Sequence, residues 1–351
     1  MLEQSVERAL VAHGGRAAQA QMEAGILPAA LWEEITALGL PRALLPEAEG
    51  GAGCAGLDVL PALLALARRA AATPAGEDML ARWALARSSM PQPEGIVTLG
   101  PDGDDLTWSA DGTVSGALDG VPWGRHAAWA VVPGPRGEAG GDCVALVDLS
   151  GARVSCDANL AGEPRDRLHL AGAVVRLGRR GAGPGPRTIG AALRAASIAG
   201  AVRGALDLAV AHARVRQQFG KPIAAFQAIQ QQLAVLAEEA LAADMAVRAA
   251  FAALDGPHAV AWSAAAKSRC GDAARAAIAV AHQVLGAMGF TREHDLHLLT
   301  TRLMSWNAEF GGGPAWADRL CAEAMAGEGL WENLVAWGDA ARPGEAHTGE
   351  N

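Results

Sequence analysis

The order of residue patterns along this 351-residue chain predicts a multidomain protein of α and β, with helices first, strands in the middle and a helical bundle last. Three observations carry that prediction. Leucines recur at helical spacing up to residue 90, a hairpin signal stands among short apolar runs between 91 and 183, and long three-and-four stripes fill 184–340.

Residues 1–90 read as a small α-domain. Leu31, Ile35 and Leu38, then Leu60, Leu63, Leu64 and Leu66, recur near the helical period on either side of a Gly-rich loop at 50–56. Residues 91–183 read as a β-domain. Asp111-Gly112 lies between Leu106-Thr107-Trp108 and Thr113-Val114, the chemistry of a tight hairpin, and Val144–Val147 and Ala173–Val175 are short strand-like runs. The Gly/Pro run from Arg179 to Pro186 has linker composition. Three long helices follow at about 188–217, 225–254 and 259–287, the last two separated by Asp255-Gly256-Pro257. In the second, Ile229, Leu233, Leu236, Ala240, Ala243 and Val247 form the stripe of a bundle helix. A further helix or two is expected after Thr291, and residues 341–351 read as a disordered tail.

Composition narrows the function classes. A chain that is 51% hydrophobic and 19% charged has the make-up of a folded soluble protein, and a net charge of −9 argues against nucleic acid as a partner. Cys54, Cys143, Cys156, Cys270 and Cys321 are odd in number and form no C-x-x-C pair, so neither a disulfide framework nor a zinc site is indicated and a cytoplasmic setting is expected. The first eight residues lack the apolar core of a signal peptide. The Ala-rich run from Ala191 to Ala211 is interrupted by Arg194, Arg203 and Asp207, which predicts an amphipathic helix and no membrane span.

The most informative stretch is Arg214-Val215-Arg216-Gln217-Gln218-Phe219-Gly220-Lys221-Pro222, followed by Phe226-Gln227. Arg216 offers a rigid fork of donors suited to a diphosphate, Gly220 opens backbone conformations closed to other residues, and Pro222 sets the chain direction before the next helix. An anion docked there would also meet free helix N–H groups. A second segment, His282-Gln283-Val284-Leu285-Gly286-Ala287-Met288-Gly289-Phe290, combines a carboxamide with small residues, and a third, Pro46-Glu47-Ala48-Glu49-Gly50-Gly51-Ala52-Gly53, lies near the N-terminus. Together these resemble the acyl-CoA dehydrogenase family, in the family's order, from about Leu31 to about Gly311. The one departure in the second motif is Ala287 in place of a Gly.

The resemblance implies an N-terminal α-helical domain, a middle β-barrel and a C-terminal four-helix bundle that assembles into oligomers. It implies FAD as cofactor, an acyl-CoA thioester of a fatty or steroid-derived acid as substrate, and an electron-transfer flavoprotein as electron acceptor. By the same resemblance Arg216, Gln218, Phe219, Phe226, Gln227, Gln283, Val284, Leu285, Gly286 and Ala287 are the cofactor-binding residues, acting on the flavin of a neighbouring subunit.

The base is the point of divergence. Most family members carry a Glu in an E-G-T sequence at a set distance after the Gln, and that distance from Gln283 reaches Phe310. Glu309, one residue earlier, is the catalytic candidate, although a one-residue slip turns a helical side chain by about 100°. A minority of members place the base on the first bundle helix; the corresponding position here is Gly190, with no carboxylate nearby. The family's flavin-binding T-E-P-x-x-G-S-D stretch is replaced by the altered Val97–Asp105, and Trp123, where a flavin-covering Trp would stand, reads more simply as a barrel-packing residue. Two outcomes follow: an active acyl-CoA dehydrogenase using Glu309, or a silent subunit resembling those of heteromeric steroid-side-chain acyl-CoA dehydrogenases, lending Arg216, Gln218 and Gln283 to a paralogous partner. A non-enzymatic helical interaction protein is a third reading. His294 and His297, with Glu293 and Asp295, lack a further ligand at a recognisable spacing, so no metal is expected.

Overall fold

A computed structural model describes residues 2–102, 105–135, 143–179, 183–326 and 329–340. The segment 341–351 and the middle of the expected linker, 180–182, lie outside the described residues.

Five helices make the N-terminal domain: α1 (Leu2–His13), α2 (Gly15–Glu23), α3 (Ala29–Ala37), α4 (Gly56–Arg68) and α5 (Ala75–Arg87). Their apolar spacing does what it promises, since Val6, Leu10, Leu31, Ile35, Leu60 and Leu63 all enter one core. Helix α5 is buried on every face of its first three turns, polar residues included. Its Asp78 bonds Arg82 at 3.0 Å and accepts the Val97 N–H at 2.6 Å, which fixes the helix to the first strand of the next domain.

That domain is built from β1 (Val97–Leu99), β2 (Leu106–Trp108), β3 (Thr113–Pro122), β4 (Trp129–Pro133), β5 (Cys143–Asp148), β6 (Arg153–Ser155) and β7 (Arg165–Arg179). The expected hairpin is present: Trp108 pairs with Val114 across β2 and β3, with Gly112 at φ +80° and Asp111 accepting the Thr113 N–H. The fifteen-residue β7 pairs with β5 through its C-terminal part and with β3 and β6 through its N-terminal part, so it bends the sheet over its own apolar core. Among the described residues the hydrogen-bonded path runs β1-β4-β5-β7-β3-β2 and ends at β1 and β2. Thr98 on β1 donates its hydroxyl to the Pro122 carbonyl at 2.6 Å, linking the two sides through a side chain.

The C-terminal bundle contains α6 (Pro186–Val215), α7 (Gln227–Ala252), α8 (Ala259–Leu285) and α9 (Leu296–Ala308), followed by α10 (Gly313–Ala324) and α11 (Leu330–Ala340). Helix α6 is its axis, packed against α4, α7, α8 and α9. Expected to be amphipathic, α6 is instead buried nearly all round, with Arg194 only 2% exposed. The reason is its company. Alanine and glycine let neighbours close in on every side, and Arg194 finds buried carboxylates, whereas Arg203 and Asp207 do reach the surface and pair with each other. By length and apolarity alone α6 and the segment Ala259–Phe290 could cross a membrane, but 94% of the most apolar window of α6 is covered by the rest of the protein, as in a core helix.

Helix α6 approaches α4 through Gly200 and Gly204. A Cβ on Gly200 would come within 2.5 Å of the Leu64 carbonyl oxygen, and one on Gly204 within 2.6 Å of that of Arg68. Two short connections make α6, α7 and α8 run up, down and up, so the C-termini of α6 and α8 share one end of the bundle.

Candidate functional site

That shared end carries the expected cofactor-binding residues. Between α6 and α7 the chain makes a two-residue hairpin, β8 (Gln217–Gln218) against β9 (Lys221–Pro222), with Phe219 at φ +51° and Gly220 at φ +79°. Consecutive left-handed residues define this tight turn; Gly220 suits it and Phe219 is strained in it. Phe219 is 91% exposed and meets the ring of Phe226 edge to face, with centroids 6.0 Å apart. Arg216, Gln218 and Gln227 are exposed on the same turn, and Phe226 is half-buried.

At the end of α8, Gln283 is exposed while Val284 and Leu285 are buried in the core, so those two support the segment from beneath and present no side chain outward. Gly286 ends the helix at φ +60°, and Gly286 and Ala287 are exposed. Phe290 then folds back to stack on His282 at 4.3 Å, and the His212 imidazole in the last turn of α6 is lowered by burial first and then by the nearby His294, which places the two motif regions in one neighbourhood. Arg214, Arg216 and Lys221 have no acidic partner among the described residues, although the chain as a whole is acidic. Unpaired guanidinium groups beside carboxamides fit the diphosphate of a dinucleotide.

The position of the expected base tells a different story. Glu309 follows the last turn of α9 and lies inside a cluster that joins all three domains. Its Oε1 accepts from Arg165 Nε at 2.8 Å and Asn159 Nδ2 at 3.0 Å; its Oε2 accepts from Arg194 Nε at 2.5 Å and Arg165 Nη2 at 3.0 Å. Arg194 also donates to Glu77 at 2.6 Å. Glu163 accepts from Arg302 Nε at 3.0 Å, Arg165 Nη2 at 2.8 Å and Trp306 Nε1 at 2.8 Å, and Arg302 reaches Gln19 on α2 at 2.8 Å. Three carboxylates and three guanidinium groups thus neutralise one another in the interior.

Burial alone would raise the Glu309 carboxyl, but the charges of Arg165 and Arg194 and the hydrogen bonds from Arg165 and Asn159 outweigh it and hold the group well below the usual carboxylate range. Burial is outweighed in the same sense at Glu163 by Arg302 and Arg165. A carboxylate so stabilised is a poor proton acceptor near neutrality. The geometry therefore works against Glu309 as the base, for the reason that its charge is already committed to two guanidinium groups.

Phe310, at φ +55°, turns its ring onto Gly190. A Cβ on Gly190 would fall 2.3 Å from that ring, so the two positions where a base would stand are in contact and one fills the space the other leaves. Arg194 lies 5.6 Å from the centre of the same ring. The cavity remaining between Trp123, Glu77, Arg194, Glu163 and Trp306 measures about 40 Å³, whereas small-molecule sites run from roughly 300 Å³ upward. Trp123 is buried, but among Ala18, Met22 and Ala72 of the N-terminal domain. The expectation of barrel packing fails because Trp123, in the left-handed region at φ +55°, turns away from the sheet interior.

Two further features frame this centre. Asp102 and Asp105, from the altered stretch after β1, border an open groove of about 350 Å³ with Asp119, Arg187 and Phe310. Carboxylates thus stand where the resemblance calls for hydroxyls. The Lys267 ammonium, fully buried on α8, donates to the Trp306 and Asn307 carbonyls at 2.6 and 3.0 Å and so satisfies the end of α9; burial pulls it down to about 7. This cluster is not legible in the sequence: Glu77, Glu163, Arg165 and Arg302 carry no motif, and Arg194 reads only as an interruption of an apolar run. Charged residues inside otherwise apolar helical runs were the available signal.

Residues 188–314 match the family model described as acyl-CoA dehydrogenase, C-terminal domain. Acyl-CoA dehydrogenase FadE34 of Mycobacterium tuberculosis (strain ATCC 25618 / H37Rv) is 36% identical over 310 residues, an alignment covering 84% of this chain and 42% of FadE34. The chain thus spans less than half the length of that relative. Among solved structures, the ChsE4-ChsE5 complex from Mycobacterium tuberculosis superposes with a TM-score of 0.83 at 24% identity, covering 93% of this chain and 97% of that one. The steroid ACAD Tcur3481-Tcur3483 G363A variant gives 0.82 at 23% identity, with coverage of 95% and 98%. These likenesses establish the fold.

Proposed function

We propose that this chain is a member of the acyl-CoA dehydrogenase family and serves FAD-dependent α,β-dehydrogenation of an acyl-CoA thioester as the base-less subunit of a mixed pair. The observation that carries this reading is Phe310 packed on Gly190, with Glu309 bound between Arg165 and Arg194. In this reading Arg216, Gln218, Phe219, Phe226, Gln227, Gln283, Gly286 and Ala287 meet a flavin held chiefly by a paralogous partner, while Val284 and Leu285 brace them from the core. Arg216 and the carboxamides of Gln218 and Gln283 bind and orient the anionic dinucleotide, and the exposed Phe219 ring excludes water beside it. FAD, when bound, supplies the acceptor for the substrate β-hydride; the α-proton goes to a base on the partner.

The heteromeric ChsE4-ChsE5 complex and the steroid ACAD are the precedents that favour a paired subunit and a steroid-derived or fatty acyl group. An electron-transfer flavoprotein is the expected electron acceptor and the cytoplasm the expected compartment.

The test is to purify the chain alone and with each acyl-CoA dehydrogenase paralogue of its own genome, recording flavin absorbance and its bleaching by acyl-CoA. Flavin and turnover are expected only in a mixture, lost on Arg216→Ala and retained per folded molecule in Glu309→Gln. Turnover by the chain alone that stops with Glu309→Gln would overturn this reading in favour of an active dehydrogenase. Colourless protein in every mixture would favour an interaction protein.

A further inference from the structure

A left-handed phenylalanine on the surface needs something to hold it. Phe219 has φ +51° and is 91% exposed, so neither its backbone preference nor burial of its ring favours the pose. Three contacts oppose the strain. The Ile223 N–H donates to the Arg216 carbonyl at 2.8 Å and closes the base of the turn. The Phe226 ring stands edge to face with Phe219 at an interplanar angle of 83°. The Lys221 ammonium sits 4.5 Å from the centroid of Phe226.

Lys221 is the informative member. An exposed lysine has ample freedom to extend into water, yet this one lies on an aromatic face, and it has no carboxylate partner among the described residues that would draw it there. We propose that Lys221 is a positioning residue: it anchors the Phe226 ring, Phe226 anchors Phe219, and the turn is thereby set in its ligand-ready pose before an anionic dinucleotide arrives. A preset turn loses less freedom on binding than a mobile one, so the lysine raises affinity without touching the ligand. The identity of that ligand rests on the function proposed above; the presetting of the turn does not.

With five phenylalanines in the chain, labelling with 4-fluorophenylalanine gives five 19F resonances, assignable through Phe219→Leu and Phe226→Leu. In the full chain without ligand, Lys221→Met is expected to shift the Phe219 and Phe226 resonances, whereas Lys221→Arg, which keeps a cation on the ring, leaves them in place. Unmoved resonances in Lys221→Met overturn the proposal. Titration of the chain and its partner subunit with FAD is expected to show binding about two- to five-fold weaker for Lys221→Met and near wild type for Lys221→Arg. The same factor should hold at low and high salt, since positioning through a ring is not screened as a phosphate contact is. Equal affinity in Lys221→Met, or a loss that disappears at high salt, also overturns it, the latter by making Lys221 a direct phosphate ligand. A wild-type mixture that binds no FAD would sink the proposed function, and the ligand-free spectra would still decide the role of Lys221.

Discussion

At the scale of single residues the chain separates two uses of charge. Arg216 is exposed and pairs with no carboxylate among the described residues, while Arg165 and Arg194 are buried and fully engaged by Glu163, Glu77 and Glu309. Removing one member of a buried set is costly because it strands the remaining charge. Glu309→Gln leaves Arg165 and Arg194 sharing fewer counter-charges, and a loss of roughly 3 kcal/mol in unfolding free energy is expected from urea titration. A catalytic role would instead leave the midpoint near wild type and abolish turnover, so the two measurements together discriminate. Phe310 adds a second commitment: its ring fills the notch left by Gly190, and that pairing admits no carboxylate at either place.

Helix α6 is where sequence composition becomes tertiary geometry. Its alanines and glycines give a cylinder thin enough for α4, α7, α8 and α9 to surround it. Gly200 and Gly204 mark the closest approach, against the carbonyls of Leu64 and Arg68 on α4. In an isolated helix Gly→Ala is favourable by about 1 kcal/mol. At Gly200 the new methyl would meet backbone that cannot yield as a side-chain tip does, so Gly200→Ala is expected to destabilise by about 1–3 kcal/mol, read as a lower urea midpoint. A stabilised Gly200→Ala protein would show that the α4–α6 contact is looser than described. The α-helical stripe of α7 was legible from Ile229 to Val247 because it has a wet side; α6 misled because a helix buried on all faces has no period to read.

Across the whole molecule the ion cluster joins all three domains, beside an apolar core that also draws residues from each of them. Gln19 and Glu77 come from the N-terminal helices, Glu163 from the loop before β7 and Arg165 from the start of β7, and Arg194, Arg302 and Glu309 from the bundle. Glu163 and Glu309 both titrate lower in the folded protein than in the open chain. Groups lowered by folding contribute stability that is complete above their ordinary value of about 4.5 and is lost as pH falls toward their folded values. Acid should therefore destabilise the protein from about pH 4.5 downward, with the domains separating together, measurable as a falling thermal midpoint in one calorimetric transition. Asp78, raised by burial, works in the opposite sense and softens the fall. A Glu309→Gln protein should show a shallower acid dependence; an unchanged slope would place the acid sensitivity elsewhere.

By itself the amino-acid order determined the succession of helical, strand and bundle domains, the hairpin at Asp111-Gly112 and the exposed turn from Arg216 to Gln227, because each depends on neighbours in sequence: periodicity, turn chemistry and local charge. The family resemblance rested on those same local motifs. What only the tertiary structure decided was the fate of Glu309, Phe310 and Trp123. A carboxylate is a base or a counter-ion according to which guanidinium groups surround it, and Arg165 and Arg194 reach Glu309 from 144 and 115 residues away. No spacing in the chain records that meeting, since it is set by three domains closing on one another.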